Sequence, residues 1–348
     1  MIFCSILTIS LLSALVAFFE EKLSNFKWWI FVLLCILLVI VATIRPLGID
    51  NDSIAYEIYY YNYDNPRSVL TVEFTFRVIS EFIYNHCHNF RFLFLFYAIC
   101  GTAIKMFAIN KLSPLPFLSV CIYIFTYYVV HEFTQIRAGV ASAFLLLSLI
   151  PLSKGNKRLT FVFILFASLF HYSSLSMLIL LCFDNKSMSK NNKYCWCILI
   201  PLGYFIHYIG IGFSFIYIPY ISEKVEAYQT LKEQGFLDVV NVYNLVYLAK
   251  IFIFYYIMYF YDVISQKCSC ISILLKLEAI SLFSFSAFSA LPVLSFRLNG
   301  LFGVVEIILY PLIFYTIRPW YYSKIIVIGI GAILFAILVF YNGFLTIQ

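Results

Sequence analysis

Residues 28–44 read WWIFVLLCILLVIVATI, a run without a charged side chain. At about 1.5 Å per residue, a helix of this length extends roughly 26 Å, close to the hydrocarbon thickness of a bilayer. A helix is the expected conformation, because it satisfies its own backbone hydrogen bonds where no water is present. This run therefore predicts a membrane helix.

Similar runs recur along the whole chain. They cover residues 2–19, 28–44, 92–108, 115–130, 136–152, 161–183, 195–218, 242–261, 271–291, 298–317 and 325–344. Of the 348 residues, 63% are hydrophobic and 11% are charged, whereas a soluble domain carries about 25% charged residues. The sequence therefore predicts an all-α polytopic membrane protein, with residues 1–348 forming a single integral membrane domain of about ten or eleven transmembrane helices.

The basic residues indicate which loops face the cytoplasm, because short cytoplasmic loops are rich in lysine and arginine. The positions used are Lys105, Lys111, Lys154, Lys157, Arg158, Lys186, Lys190, Lys193, Lys267, Lys276, Arg318 and Lys324. The net charge of +6 is attributed to these loops, so no nucleic-acid partner is expected. The two long acidic connections, residues 45–90 and 219–241, are then predicted to be periplasmic.

The first of these connections contains Glu73, Arg77 and Glu81 at four-residue spacing, with apolar residues between them. This spacing predicts an amphipathic helix that lies along the outer membrane interface, with the three charges in one stripe.

The run at residues 161–183 conflicts with a simple crossing, because basic loops flank it on both sides. In one interpretation the segment enters from the cytoplasm, breaks at His171-Tyr172-Ser173-Ser174 and returns, since each half is too short to span. In the other, the lysines after the segment depart from the charge rule, which is statistical. The sequence leaves both interpretations open.

Three arginines are predicted at the outer membrane boundary: Arg45, Arg137 and Arg297. If they converge, their planar guanidinium groups can bind the oxygens of a diphosphate. Each arginine alone also fits a snorkelling or ion-paired boundary residue. The candidate proton acceptors are Asp50, Asp52, Glu132 and His171.

No glycine-rich phosphate loop, dinucleotide fingerprint, zinc motif or Gly-x-Ser-x-Gly elbow is present in the sequence. His86, Cys87 and His88 are adjacent, so they cannot all face one ion from regular structure. We therefore expect neither a metal nor a cofactor.

The order of these features resembles the EpsG family of Wzy-type polysaccharide polymerases. The resemblance is carried by the loop from Arg45 to Tyr56, the Gln-Ile-Arg-Ala-Gly-Val-Ala stretch from Gln135 to Ala141, Phe170-His171-Tyr172-Ser173, and Phe296-Arg297-Leu298. It spans roughly residues 45–311.

The resemblance implies a GT-C-type glycosyltransferase of the bacterial inner membrane. Such an enzyme transfers a growing glycan from undecaprenyl diphosphate to an undecaprenyl-diphosphate-linked repeat unit on the periplasmic face, as in the O-antigen polymerases of lipopolysaccharide biosynthesis. The expected partners are these lipid-linked oligosaccharides, membrane lipid and a Wzz-type chain-length co-polymerase. The expected substrate-binding residues are Tyr56, Gln135 and Tyr172.

The sequence also leaves three alternative functions open. They are a flippase or transporter of lipid-linked oligosaccharide, an O-antigen ligase that uses a similar donor and fold, and a non-catalytic membrane scaffold.

Overall fold

The structure, a computed structural model, describes residues 2–23, 26–65, 72–209 and 240–345. Within these ranges the ordered elements are helices, and no β-strand occurs. The main helices are α1 Ile2–Phe18, α2 Lys27–Ile44, α3 Ser53–Tyr61, α4 Phe74–His86, α5 Arg91–Leu112, α6 Pro116–Thr134, α7 Ile136–Ser153, α8 Lys157–Phe170, α9 Lys190–Ile209, α10 Leu245–Tyr259, α11 Tyr261–Ser265, α12 Ile271–Ala287, α13 Pro292–Tyr315 and α14 Trp320–Tyr341. Almost all of the predicted connection at residues 219–241 lies outside the described residues.

Six of these helices (α2, α5, α6, α7, α13 and α14) are long and apolar enough to cross a membrane. On α2, Leu33, Ile36 and Ile40 are about half exposed, with 51%, 50% and 46% of their surface accessible, while Leu34 and Leu38 are buried against the bundle. Such an apolar outer face is stable in lipid rather than in water. The prediction of an all-α polytopic membrane protein is confirmed, and each of the eleven predicted runs contains helical residues.

The segment around His171 is a hairpin. Helix α8 ends at Phe170 because His171 adopts an extended conformation (φ −154°, ψ 117°), and a 3-10 segment, Tyr172–Cys182, follows. At the open end of the hairpin, Lys157 Nζ donates a hydrogen bond to the carbonyl oxygen of Leu181 at 2.6 Å. The two legs therefore start and finish at the same end of the bundle, as the re-entrant interpretation requires, and His171 lies at the turn.

Helix α6 is the most buried of the six long helices. Its second half, Ile124–Thr134, is π-helical. A π-helix has more residues per turn than an α-helix and is frequently found at functional sites. Here it carries His131 and Glu132 into the interior of the bundle, where both are at most 2% exposed.

The charge rule misplaced Lys105. This residue lies within α5, is fully buried and donates from Nζ to Glu132 Oε1 at 2.6 Å. Lys276, also assigned to a loop, is 4% exposed within α12 and donates to Asp184 Oδ1 at 3.3 Å. A lysine with an internal carboxylate partner gives no information on the side of the membrane, which is why the rule failed at Lys105.

The connection at residues 45–90 contains two helices, α3 and α4. Its first turn passes through Gly48, whose φ of +80° favours glycine. The predicted amphipathic helix begins only at Phe74, so Glu73 precedes it and is not part of a charged stripe. Whereas Glu81 is exposed, Glu73 is 5% exposed and faces the bundle.

Candidate functional site

Arg45 is held inside the protein. It is fully buried, and its Nε donates to Asp50 Oδ2 at 3.1 Å. Its Nη1 and Nη2 donate to the carbonyl oxygens of Ala42 and Phe133, and its guanidinium carbon lies 3.5 Å from the ring centroid of Phe94. These contacts use the guanidinium to join α2, the turn before α3 and α6, so Arg45 is placed as a structural residue rather than at an open anion site.

The structure separates the two aspartates that the sequence could not distinguish. Asp50 is buried, and its Oδ1 accepts hydrogen bonds from the backbone N–H groups of Asp52 and Ser53 at 3.1 and 2.9 Å, while Oδ2 accepts from Arg45. Among the residues that the structure describes, the half-buried Asp52 carboxylate accepts no hydrogen bond. Asp50 therefore shapes the turn before α3, and Asp52 keeps its carboxylate open.

Glu132 is committed to an internal ion pair. Its Oε1 accepts from Lys105 Nζ and, at 2.9 Å, from the Tyr123 hydroxyl. The same ammonium donates to the carbonyl oxygen of Gly139 at 2.7 Å. This network joins α5, α6 and α7, and it leaves Glu132 little capacity to accept a proton from a substrate.

Glu73 brings together two of the predicted site residues. One carboxylate oxygen, Oε2, accepts a hydrogen bond from Arg137 Nη1, and the other, Oε1, lies 2.8 Å from His171 Nδ1. Arg137 and His171 are 34 positions apart in the chain, yet a single carboxylate contacts both. We refer to Glu73, Arg137, His171 and the adjacent Tyr56 as the Glu73 site.

Sequence reasoning missed Glu73 because the four-residue spacing assigned it to the exposed stripe of α4. The sequence did contain a signal for this position. Val72-Glu73 stands immediately before the apolar start of the helix, and a side chain that precedes the first turn need not point in the same direction as the helix's charged face.

Aromatic rings form the walls of the Glu73 site. The Arg137 guanidinium carbon lies 5.7 Å from the ring centroids of both Tyr56 and Phe76. The ring of Tyr97 packs against Phe76 at 6.0 Å. Tyr56 is 4% exposed and within hydrogen-bonding reach of Arg137, so it orients the arginine instead of forming an open platform for sugars.

Three helix N-termini meet at the Glu73 site. Arg137 is the second residue of α7, Glu73 is the N-cap of α4, and His171 is both the C-cap of α8 and the N-cap of the 3-10 segment. Helix N-termini carry a partial positive charge and unpaired backbone N–H groups, which favour anions. Beside His171, the hydroxyls of Ser173 and Ser174 are buried without a hydrogen-bond partner among the described residues. The site is therefore rich in donors suited to phosphate oxygens.

The electrostatics of the Glu73 and Asp52 carboxylates differ. Burial alone raises the pKa of Glu73, but the hydrogen bond from His171 and the charge of Arg137 outweigh it, so this pKa is lowered below its ordinary value of 4.5. Burial raises the pKa of Asp52, the charge of Asp50 raises it further, and Arg137 opposes both. Glu73 is thus held as an anion at neutral pH.

The Glu73 carboxylate fixes the chemistry of His171. A carboxylate only accepts hydrogen bonds, so Nδ1 of the neutral imidazole carries the proton that points at Glu73. Nε2 then has a free lone pair. A histidine oriented in this way by a carboxylate is arranged to accept a proton from a hydroxyl group.

The remaining predicted residues lie at the surface of this region. Arg297 is exposed and makes no ion pair within residues 2–23, 26–65, 72–209 and 240–345. It lies on the first part of α13, which packs against both α7 and the 3-10 segment. Tyr172 is 60% exposed, and Gln135 is half-buried as the N-cap of α7. The structure therefore gathers Arg137, His171 and Tyr56, places the Arg297 helix beside them, and keeps Arg45 apart.

The described residues contain no group of three or more histidine, cysteine, aspartate or glutamate side chains that could hold a metal ion.

Comparisons with known proteins bear on the same region. The model of the EpsG family matches residues 28–347, which include the whole Glu73 site. A protein from Erwinia amylovora described as amylovoran biosynthesis protein AmsC is 24% identical over 266 residues, covering 74% of this chain and 68% of the relative. No solved structure matches the chain.

Proposed function

Because the chain belongs to the EpsG family, we propose that it is a membrane-embedded polysaccharide polymerase. The amylovoran biosynthesis protein that it resembles supports a role in polysaccharide biosynthesis. More specifically, we propose a glycosyltransferase of the GT-C type in the bacterial inner membrane. It would transfer a growing glycan from undecaprenyl diphosphate to a lipid-linked repeat unit at the periplasmic face.

One observation carries this proposal: the Glu73 carboxylate holds a guanidinium and an imidazole side by side at two helix N-termini. Glycosyl transfer from a diphosphate needs both kinds of group. A cation stabilises the negative charge that develops on the leaving group, and a base takes the proton of the attacking hydroxyl.

In the proposed reaction, the acceptor hydroxyl oxygen forms a bond to the anomeric carbon while the bond from that carbon to the donor diphosphate breaks. His171 Nε2 takes the hydroxyl proton, and Glu73 stabilises the imidazolium that forms. The diphosphate leaves as an anion beside Arg137 and Arg297. The hydroxyls of Ser173 and Ser174 supply further donors to its oxygens.

Arg45, Asp50 and Glu132 have structural roles in this proposal, since each is already engaged with protein partners. Asp52 is the alternative base, because its carboxylate is open and its pKa is raised. A Wzz-type co-polymerase is the proposed partner that sets chain length.

The test uses the purified full chain in lipid with a synthetic lipid-linked repeat unit, and the product is a ladder of chain lengths on a gel. We expect the wild type to form the ladder and His171→Ala and Arg297→Ala to lose it. His86→Ala and Arg158→Ala change exposed residues of the same types and should retain it.

Three other results would favour the alternative functions. Translocation of the lipid-linked unit without a new glycosidic bond would identify a flippase. Transfer only to a lipid A-core acceptor would identify a ligase. Ladders in cells that do not change with any of these substitutions would identify a scaffold.

A further inference from the structure

A second group of ionisable side chains, of which two are buried carboxylates and one is a partly buried lysine, lies between α6, α10, α12 and α13, and the proposed reaction does not use it. It contains Glu278 of α12, Glu306 of α13 and Lys250 of α10. The accessible surface of Glu278 is 1% and that of Glu306 is 0%. Charged groups inside membrane helices are costly and usually have a function or a close partner.

The residues around the two carboxylates do not satisfy all of their oxygen atoms. Lys250 Nζ donates to Glu306 Oε1 at 2.7 Å, but among the described residues Glu306 Oε2 and both oxygens of Glu278 are buried and accept no hydrogen bond. Glu278 nevertheless lies within hydrogen-bonding reach of Glu306. Two carboxylate oxygens at that separation repel each other unless a proton lies between them.

The net charge of the three side chains also indicates that a positive charge is missing. Two ionised carboxylates and one ammonium leave one negative charge uncompensated in a region of low dielectric constant, which is strongly unfavourable. The hydroxyls of Tyr127 and Tyr310 lie near Glu306, but a hydroxyl group supplies no positive charge. One additional positive charge makes the group neutral.

A proton supplies this charge better than a metal ion does. The Lys250 ammonium already occupies the cation position on Glu306, and hard metal ions need about six or more oxygen ligands. The backbone is also tightly packed at this point. A Cβ atom on Gly303 would lie 2.8 Å from the Tyr127 hydroxyl and 2.9 Å from Ser281 Oγ.

We propose that Glu278 and Glu306 share one proton and form a proton-binding carboxyl pair inside the membrane helices. Glu278 is the acid that donates to Glu306, and Glu306 is the anion that pairs with Lys250. Glu306 lies nine residues after Arg297 on α13, so the shared proton also fixes the Arg297 helix against α12.

The proposal is tested by infrared spectroscopy of the purified full chain labelled with ¹³C-glutamate. The wild type should show the carbonyl band of a protonated carboxyl group at neutral pH, and Glu278→Gln should lose it. Glu81→Gln removes an exposed carboxylate and should leave the band unchanged. A wild type without the band, or a band that persists in Glu278→Gln, would overturn the proposal.

Thermal unfolding provides the second measurement. A glutamine amide is neutral and can donate to Glu306 as the protonated acid does, so Glu278→Gln should unfold within a few degrees of the wild type. Failure of this variant to fold would count against a neutral Glu278. A melting temperature that rises with sodium, in comparison with choline, only in the wild type would assign the position to a metal cation instead.

Discussion

Substitution of Glu73 by glutamine tests the proposed chemistry most directly. The change keeps the size of the side chain but removes the charge that holds Arg137 and His171 together. The amide also presents an N–H₂ group, which cannot accept hydrogen bonds from both partners. His171 would then lose the group that keeps the proton on Nδ1 and stabilises its imidazolium form.

The magnitude follows from the two contacts. A hydrogen bond to a charged group contributes about 1.5–3 kcal/mol, so the two contacts together represent about 3–6 kcal/mol. If this stabilisation is expressed in the transition state, each 1.4 kcal/mol corresponds to about a tenfold change in rate. We therefore expect polymerisation to slow by about 10²- to 10⁴-fold, with the lower part of this range favoured because Arg137 is 20% exposed.

The assay is the initial rate of glycosidic bond formation from a lipid-linked repeat unit, compared with Glu81→Gln as the matched control. Glu81 is an exposed carboxylate in the same connection, so its loss should change the rate less than threefold. A Glu73→Gln enzyme that folds and works as fast as this control would refute the assignment of His171 as a carboxylate-oriented base.

Four further predictions concern neighbouring residues. Arg45→Met should lower the free energy of unfolding by about 3–5 kcal/mol in thermal or denaturant unfolding, because it leaves a buried carboxylate without its partner; a stability close to that of the wild type would contradict a structural role. Arg297→Ala should reduce the polymerisation rate by at least about 100-fold, because Arg297 is assigned to the diphosphate, and should leave the melting temperature unchanged, because its side chain is exposed. Arg158→Ala, which changes an exposed arginine with no such role, should change neither the rate nor the melting temperature. Asp52→Asn should retain polymerisation within about tenfold, and a loss as large as that of a His171 variant would make Asp52 the base. Because the pKa of Glu73 is lowered in the folded protein, the stabilisation that Glu73 provides is complete at neutral pH and is lost as the pH falls below the ordinary value of 4.5 for this pKa. Acid unfolding curves of the wild type and Glu73→Gln should therefore converge at low pH. A constant difference between the two curves would contradict the ion pair.

The sequence was sufficient for the membrane class because it depends on composition and run length, which do not require tertiary contacts. Arg137 and His171 were conspicuous in the sequence, since polar residues stand out in apolar surroundings. Their proximity could not be read from the sequence, because it depends on how the hairpin at His171 packs against the start of α7.

The errors have a common physical cause. Glu73 was assigned from local spacing and Lys105 from the average charge distribution of loops, and each is instead determined by a distant partner. Lys105 meets Glu132 from another helix, and Glu73 meets Arg137 and His171 in the same way. Likewise, only the hydrogen bonds in the structure distinguish the structural roles of Arg45 and Asp50 from the roles assigned to Arg137 and Asp52.

The hairpin at His171 also affects whether the number of membrane crossings is odd or even. Phe3 at the start of α1 packs against Phe340 near the end of α14, with ring centroids 5.8 Å apart, and Phe18 packs against Trp320 at the opposite end of the same two helices. The first and last helices are therefore antiparallel, so residues 3 and 340 emerge on one face of the membrane and an even number of passes separates them. A hairpin at His171 returns to the side from which it entered and adds no crossing, whereas a full crossing at this segment would change the number of passes by one. Reporter tags fused near either residue should accordingly become accessible from the same compartment.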